Sequence, residues 1–189
     1  MKPHLTATAF VLALLAFPAL ADSVAVSEQD FKCMLDMTPV RGFYVDNLVE
    51  GRLEATLAVA NAEQGVYPPG SVVQLVPGEA MVKLDEGVSP ATGDWEFFEL
   101  DTSAGGTTIR KRGFADVVNR FGGNCLACHA KARPEFDFIC EQGHGCDPIP
   151  VTPEMAALLQ KTDPRCGGRY KPTPEEVEVL KALQARMGG

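Results

Sequence analysis

The run Cys125-Leu126-Ala127-Cys128-His129 constrains this chain more than any other stretch. On a helix it sets two thiols one turn apart on the same face, with an imidazole directly after the second. That order suits one covalent cofactor. The thiols can form thioethers with the two vinyl groups of a haem, and the adjacent imidazole then stands against the iron as proximal ligand. The run therefore predicts one haem c attached through Cys125 and Cys128, with His129 on the iron and the motif on a helix from about Asn124 to Ala132. Three rivals share parts of the pattern. A thioredoxin-like dithiol is expected beside a βαβ unit, which the sequence lacks, and a zinc site needs further ligands at a recognisable spacing. The third is a haem-free, disulfide-stabilised interaction domain in which Cys125 and Cys128 pair with each other.

The compartment is read from the other end. Met1-Lys2 is positive, Leu5 to Leu20 is apolar apart from Thr and Pro, and Ala19-Leu20-Ala21 has the small-x-small form of a leader cleavage site. Residues 1–21 are expected to be a signal peptide and the mature chain to be exported to the periplasm, with no membrane span, since no stretch reaches the roughly 20 apolar residues that crossing requires. Cys33, Cys140, Cys146 and Cys166 then read as disulfide partners, with three possible pairings. The Gly143-His144-Gly145 turn favours Cys140 with Cys146, which leaves Cys33 for Cys166, although spacing alone does not fix the connectivity. The net charge of -8 disfavours nucleic acid and anionic membrane as partners. A redox protein or a small neutral molecule is easier to accommodate.

Along the chain, Ser27-Glu28-Gln29-Asp30 opens an expected helix to about Met37. Gly42 to Asp46 reads as a strand and Leu53 to Asn61 as a helix. Pro68-Pro69-Gly70, Pro77-Gly78, Ser89 to Gly93 and Gly105-Gly106 are turn signals that separate Ser71–Val76, Ala80–Leu84, Trp95–Leu100 and Thr107–Lys111. Strands so close in sequence pair antiparallel, which predicts a sheet of about four or five strands. Thr152-Pro153-Glu154 and Thr173-Pro174-Glu175-Glu176 open two later helices. The expected fold class is α+β: an antiparallel sheet packed with helices, the haem-bearing helix after the sheet, and a helical C-terminal extension. The expected division is a haem-binding β-sheet domain over residues 22–150 and an extension over 151–189.

The sixth iron position separates an electron carrier from a gas binder or an enzyme. Candidate distal ligands are His144 and Met155, with Met34, Met37, Met81 and Met187 as weaker ones. Trp95, Phe97 and Phe98 fall on both faces of one strand, so one face can line the cofactor while the other joins the core. Asp94, Glu96 and Glu99 are the acids near those aromatics, and Lys131 and Arg133 are cations just past the motif.

Three blocks in order, Tyr67-Pro68-Pro69-Gly70-Ser71-Val72-Val73-Gln74, Gly93-Asp94-Trp95-Glu96-Phe97-Phe98-Glu99-Leu100, and Asn124 to Ala130 followed by Phe136-Asp137-Phe138-Ile139, give a further expectation. Over about residues 42–139 the chain resembles the β-sheet cytochromes c-prime (cytochrome c'-beta) and their hydroxylamine-oxidising relatives with a lysine-cross-linked haem. The resemblance implies an antiparallel sheet packed on the haem, an open or weakly occupied distal site, and either binding of a small diatomic such as nitric oxide or oxidation of hydroxylamine. In the enzymatic branch the cross-linking lysine is expected where this chain has Gln74-Leu75-Val76, and the nearest lysine is Lys83. The tail from Cys140 to Gly189 is longer than the family needs. Electron transfer and peroxide reduction are the other activities open to such an iron.

Overall fold

The turn signals deliver six strands rather than four or five. In the computed structural model, which describes residues 23–187, they are β1 (Thr38–Val40), β2 (Phe43–Asn47), β3 (Ser71–Gln74), β4 (Glu79–Lys83), β5 (Trp95–Ser103) and β6 (Gly106–Gly113). Each pairs antiparallel with the next, so the sheet runs in sequence order. The added strand is β1. Pro39 cannot donate to a ladder, and β1 accordingly sits at a sheet edge. Gly70, in the turn before β3, has φ +87°, and a Cβ there would lie 2.5 Å from Asn47 Oδ1. The side-chain amide of Asn47 donates to Thr56 Oγ1 and to Pro69 O, so this close approach ties the turn to the helix α1 (Leu53–Ala62).

Alternation along the strands sorts the apolar residues into two cores. Val45, Val73, Met81, Trp95 and Phe97 pack on one face with Val117 and Ile139. Val72, Val82, Phe98 and Leu100 pack on the other with Phe31 and Met37. The strand aromatics thus divide between the faces as expected, Trp95 and Phe97 to the first and Phe98 to the second. Ala60 of α1 joins the first core, with Leu57 and Val59 packed against it.

The expected helix from Ser27 to Met37 is replaced by two single 3-10 turns, Glu28–Asp30 and Met34–Asp36. The local start signal is present, since Ser27 and Asp30 exchange hydrogen bonds as a capping box. Tertiary burial overrides its continuation. Phe31, Cys33, Met34 and Met37 are all buried, and the Met34 amide, which a continued helix would turn onto a carbonyl one turn back, donates instead to the Asp163 carboxylate.

The two later helices form where their caps predict, as α3 (Pro153–Lys161) and α4 (Pro174–Met187), and the short motif helix α2 (Cys125–His129) precedes them. The tail is joined to the sheet and to the N-terminal segment. Gln160 donates to the carbonyls of Gly42 and Leu75, Asp163 accepts from the amide of Met34, and a disulfide joins Cys33 to Cys166. A second disulfide joins Cys140 to Cys146, so both pairs favoured by the spacing are formed. Two disulfides are consistent with an extracellular or periplasmic setting. No helix among the described residues is long and apolar enough to cross a membrane. The expected leader, residues 1–21, lies outside the described residues.

Candidate functional site

The motif helix is pinned at its start. The Asn124 side chain accepts from the amide of Ala127 at 2.8 Å and donates to Ala115 O at 2.8 Å, while the Cys125 amide donates to Val117 O. The helix stops at His129 rather than running to Ala132, because Pro134 begins a separate 3-10 turn. Cys125 and Cys128 are half-buried free thiols, although the other four cysteines are all paired. Cys125 and Leu126 are themselves partly buried against the first core, which gives the motif an apolar surround.

His129 lies with its ring 5.3 Å from that of Phe97, and its Nδ1 is 2.7 Å from the Phe138 carbonyl. A carbonyl only accepts, so Nδ1 carries the proton and Nε2 keeps its lone pair. That is the tautomer of a metal-ligating histidine. Burial lowers the His129 pKa, against the raising effect of the Phe138 carbonyl, and so favours the neutral ring.

The carbonyl that orients His129 sits on a strained turn. Asp137 and Phe138 have φ of 46° and 65°, two successive non-glycine residues in the left-handed region, which cost about 1 to 3 kcal/mol each. A buried polar cluster holds them there. Lys83 Nζ lies 2.7 Å from both Asp137 carboxylate oxygens, the Tyr67 amide donates to the same carboxylate at 2.8 Å, and Trp95 Nε1 donates to the Asp137 carbonyl at 2.8 Å. Burial pushes the Asp137 carboxyl up, against the pull of Lys83 and the Tyr67 amide. Lys83, Asp137 and Trp95 are therefore positioning residues for the imidazole.

A redox dithiol works with a lowered thiol pKa, and the shifts here run the other way. Burial, with Glu79 and Glu99 nearby, pushes Cys125 up to about 12, and burial also raises Cys128. Nor do the described residues contain any group of three or more His, Cys, Asp or Glu side chains placed to hold a metal ion among themselves, as a protein-only zinc site requires.

The other candidates are held elsewhere. The His144 ring is buried and stacked on Phe136 with centroids 3.7 Å apart, and its Nδ1 donates to Ile139 O, so it braces the Cys140–Cys146 loop. Met155 packs with Val76, Val151, Ala156, Leu75 and Phe121. Met34, Met37 and Met81 are core residues, and the Met187 side chain lies outside the described residues. Lys131 pairs with Asp147, and Arg133 pairs with Glu135. Asp94 accepts the amides of Gly87 and Ser89, and Glu96 takes a two-pronged bond from Arg112.

Of the three acids only Glu99 is on the motif's side of the sheet, and sequence reasoning missed its partner. Glu79 stands directly across the β4–β5 ladder from it. The signal was a charge in the inward phase of β4, where Glu79, Met81 and Lys83 alternate with Ala80 and Val82. Burial and the charge of Glu99 push Glu79 up to about 7, against Arg120. The folded protein therefore holds a proton that the unfolded chain releases above its ordinary carboxyl pKa of about 4.5. The stabilisation from this proton is full below pH 4.5 and is lost as pH rises through about 7. Urea-unfolding free energies are expected to fall over that window by on the order of 2 to 3 kcal/mol, and Glu79→Gln, neutral throughout, should flatten the fall. An equal fall in the variant would exclude Glu79 as its source.

The chain matches no protein-family model, no curated protein and no solved structure.

Proposed function

We propose that this protein is a periplasmic mono-haem c-type cytochrome, with one haem c attached through Cys125 and Cys128 and its iron bound by His129, that takes up a small diatomic such as nitric oxide or passes electrons. One observation carries the reading: two unpaired thiols one helical turn apart stand beside an imidazole whose Nδ1 is committed to the Phe138 carbonyl, leaving Nε2 for a metal. Raised thiol pKa values weigh against a dithiol centre, and unpaired sulfurs weigh against a domain in which Cys125 and Cys128 form a disulfide. The export leader read in residues 1–21 and the two disulfides support the periplasm.

Bound haem supplies one-electron redox change and reversible capture of small gases. The protein's share is to hold and orient. Asn124 fixes the start of the motif helix, His129 is aimed by the Lys83–Asp137–Trp95 cluster, and the first core meets the Cys125 end of the motif with an apolar surface. Because His144 and Met155 are engaged in their own packing, an open sixth position is the favoured reading. Lys83, the nearest lysine to the expected cross-link position, is held by both oxygens of Asp137, which favours the branch without a lysine cross-link.

Oxidation of hydroxylamine, or reduction of peroxide, at the same iron is the second reading. The Glu79 carboxyl, pushed up to about 7 across the ladder from Glu99 on the motif's side of the sheet, favours it. Intact-mass analysis of protein matured with the haem-attachment machinery tests the first claim. The denatured polypeptide should carry the mass of one haem, and a chain of bare mass beside a correctly loaded control would exclude the proposal.

A further inference from the structure

Glu99 is the least expected side chain in the sheet. It is fully buried on the face that also carries Phe97 and Trp95, and its two carboxylate oxygens fare differently. Oε2 accepts from Arg110 at 2.7 Å and faces Arg120 at 3.7 Å. Arg110 reaches it because the β5–β6 register slips between Glu99 and Leu100, and such a bulge re-aims a side chain. Oε1 has no hydrogen-bond partner, and an unsatisfied buried oxygen is costly.

The group opposite is another carboxyl. Directly paired residues of an antiparallel ladder hold their Cβ atoms about 4.5 to 5.5 Å apart, close enough for two carboxyls to meet. Two adjacent carboxylates resist double ionisation, and one proton between them removes the repulsion and gives Glu99 Oε1 a donor. The raised pKa of Glu79 agrees with this arrangement. The surrounding charges are few. Glu79 feels Glu99 and Arg120, and Glu99 is bound by Arg110. Arg120 also bonds Asp101 and the Leu100 carbonyl, and Lys111, across from Glu99, pairs with Asp116. On the motif helix, Cys125 packs against the core of Met81 and Phe97, the neighbours of Glu79 and Glu99 on the same sheet face, and its thiol feels the charge of both acids.

We propose that Glu79 and Glu99 share one proton and that the pair couples electron uptake at the Cys125-linked cofactor to proton uptake from solvent. This rests on the haem reading above. With haem bound, one electron from a one-electron donor protein would reduce the iron. The added negative charge would raise the proton affinity of the nearby pair, so that near neutral pH, where the pair is only partly protonated in the oxidised protein, up to one proton from solvent would enter it on reduction. Charge balances within the site, and no other bond forms or breaks.

Two measurements on the full chain test it. In infrared spectra, the wild type should show a protonated-carboxyl C=O band that disappears with a midpoint near neutral pH, and Glu79→Gln should lack it. The variant keeps a donor toward Glu99 Oε1 and so should fold. In spectroelectrochemical titrations of the haem-loaded protein, the oxidised-to-reduced balance should shift by up to tenfold per pH unit around neutrality, about 59 mV for one electron, and the slope should vanish in Glu79→Gln. A wild type without a titrating carboxyl band, or a potential whose slope is unchanged in the variant, would overturn the coupling. A chain that carries no haem fails the function proposed above, whereas the infrared titration reads the shared proton with or without haem.

Discussion

A protein carrying both Cys125→Ser and Cys128→Ser is expected to retain no haem after denaturation, yet to fold with both disulfides formed. The two sulfurs take no part in the disulfide framework, which uses Cys33, Cys166, Cys140 and Cys146. Serine is nearly isosteric, and the helix start does not depend on the thiols, because Asn124 caps it through Ala127 and Ala115. What disappears is only the pair of thioether donors. Each single variant should keep one covalent attachment, since His129 and the apolar surround still seat the cofactor. Haem-dependent staining of a denaturing gel, read beside the alkaline pyridine spectrum, separates these outcomes. Haem that stayed with the denatured double variant would show that attachment runs through other residues.

The other large effect concerns the fold. Cys33 and Cys166 are 133 residues apart in sequence, so their disulfide closes nearly the whole described chain into one loop. In the chain-entropy view a loop of that length stabilises by about 5 kcal/mol, whereas the 6-residue separation of Cys140 and Cys146 is worth roughly 2 kcal/mol. The long loop also secures a segment with little regular structure. Phe31 and Met37, each just past a 3-10 turn, cover the second core, and around Cys33 the polar ties to the tail include the Met34 amide on Asp163, the Arg165 guanidinium on Phe31 O, and the ion pair of Arg169 with Asp36. Cys33→Ser with Cys166→Ser should therefore lower the urea-unfolding free energy by about 5 kcal/mol, more than twice the loss from the equivalent Cys140 and Cys146 double variant. Equal losses from the two pairs would show that loop length does not govern the stabilisation.

These two expectations draw on different degrees of legibility in the sequence. The sheet was readable because Pro-Gly and Gly-Gly turns bound short runs whose alternation survives in the structure. The capped helices were readable because Thr152 and Thr173 bind the amides of Met155 and Glu176 as their spacing implies. The segment after Ser27 misled, because its capping signal is local and the burial of Phe31, Cys33, Met34 and Met37 is not. At the site, the motif named Cys125, Cys128 and His129 outright. It could not name what aims the imidazole, since Lys83 and Asp137 are 54 residues apart and only the fold of β4 against the 134–139 segment brings them together. Glu79 was hidden for a similar reason. A charge in a strand ordinarily faces solvent, and only the ladder register reveals that it faces Glu99.

The most direct test of the central claim is the absorption spectrum of periplasmically matured, reduced protein before and after addition of carbon monoxide. A haem band that shifts is the result predicted for a covalent haem on His129 with an accessible sixth position. A band that does not shift would contradict the open site and point to a second protein ligand on the iron. The absence of any haem band, with a control cytochrome loaded in the same cells, would contradict the assignment of Cys125, Cys128 and His129 as a haem site.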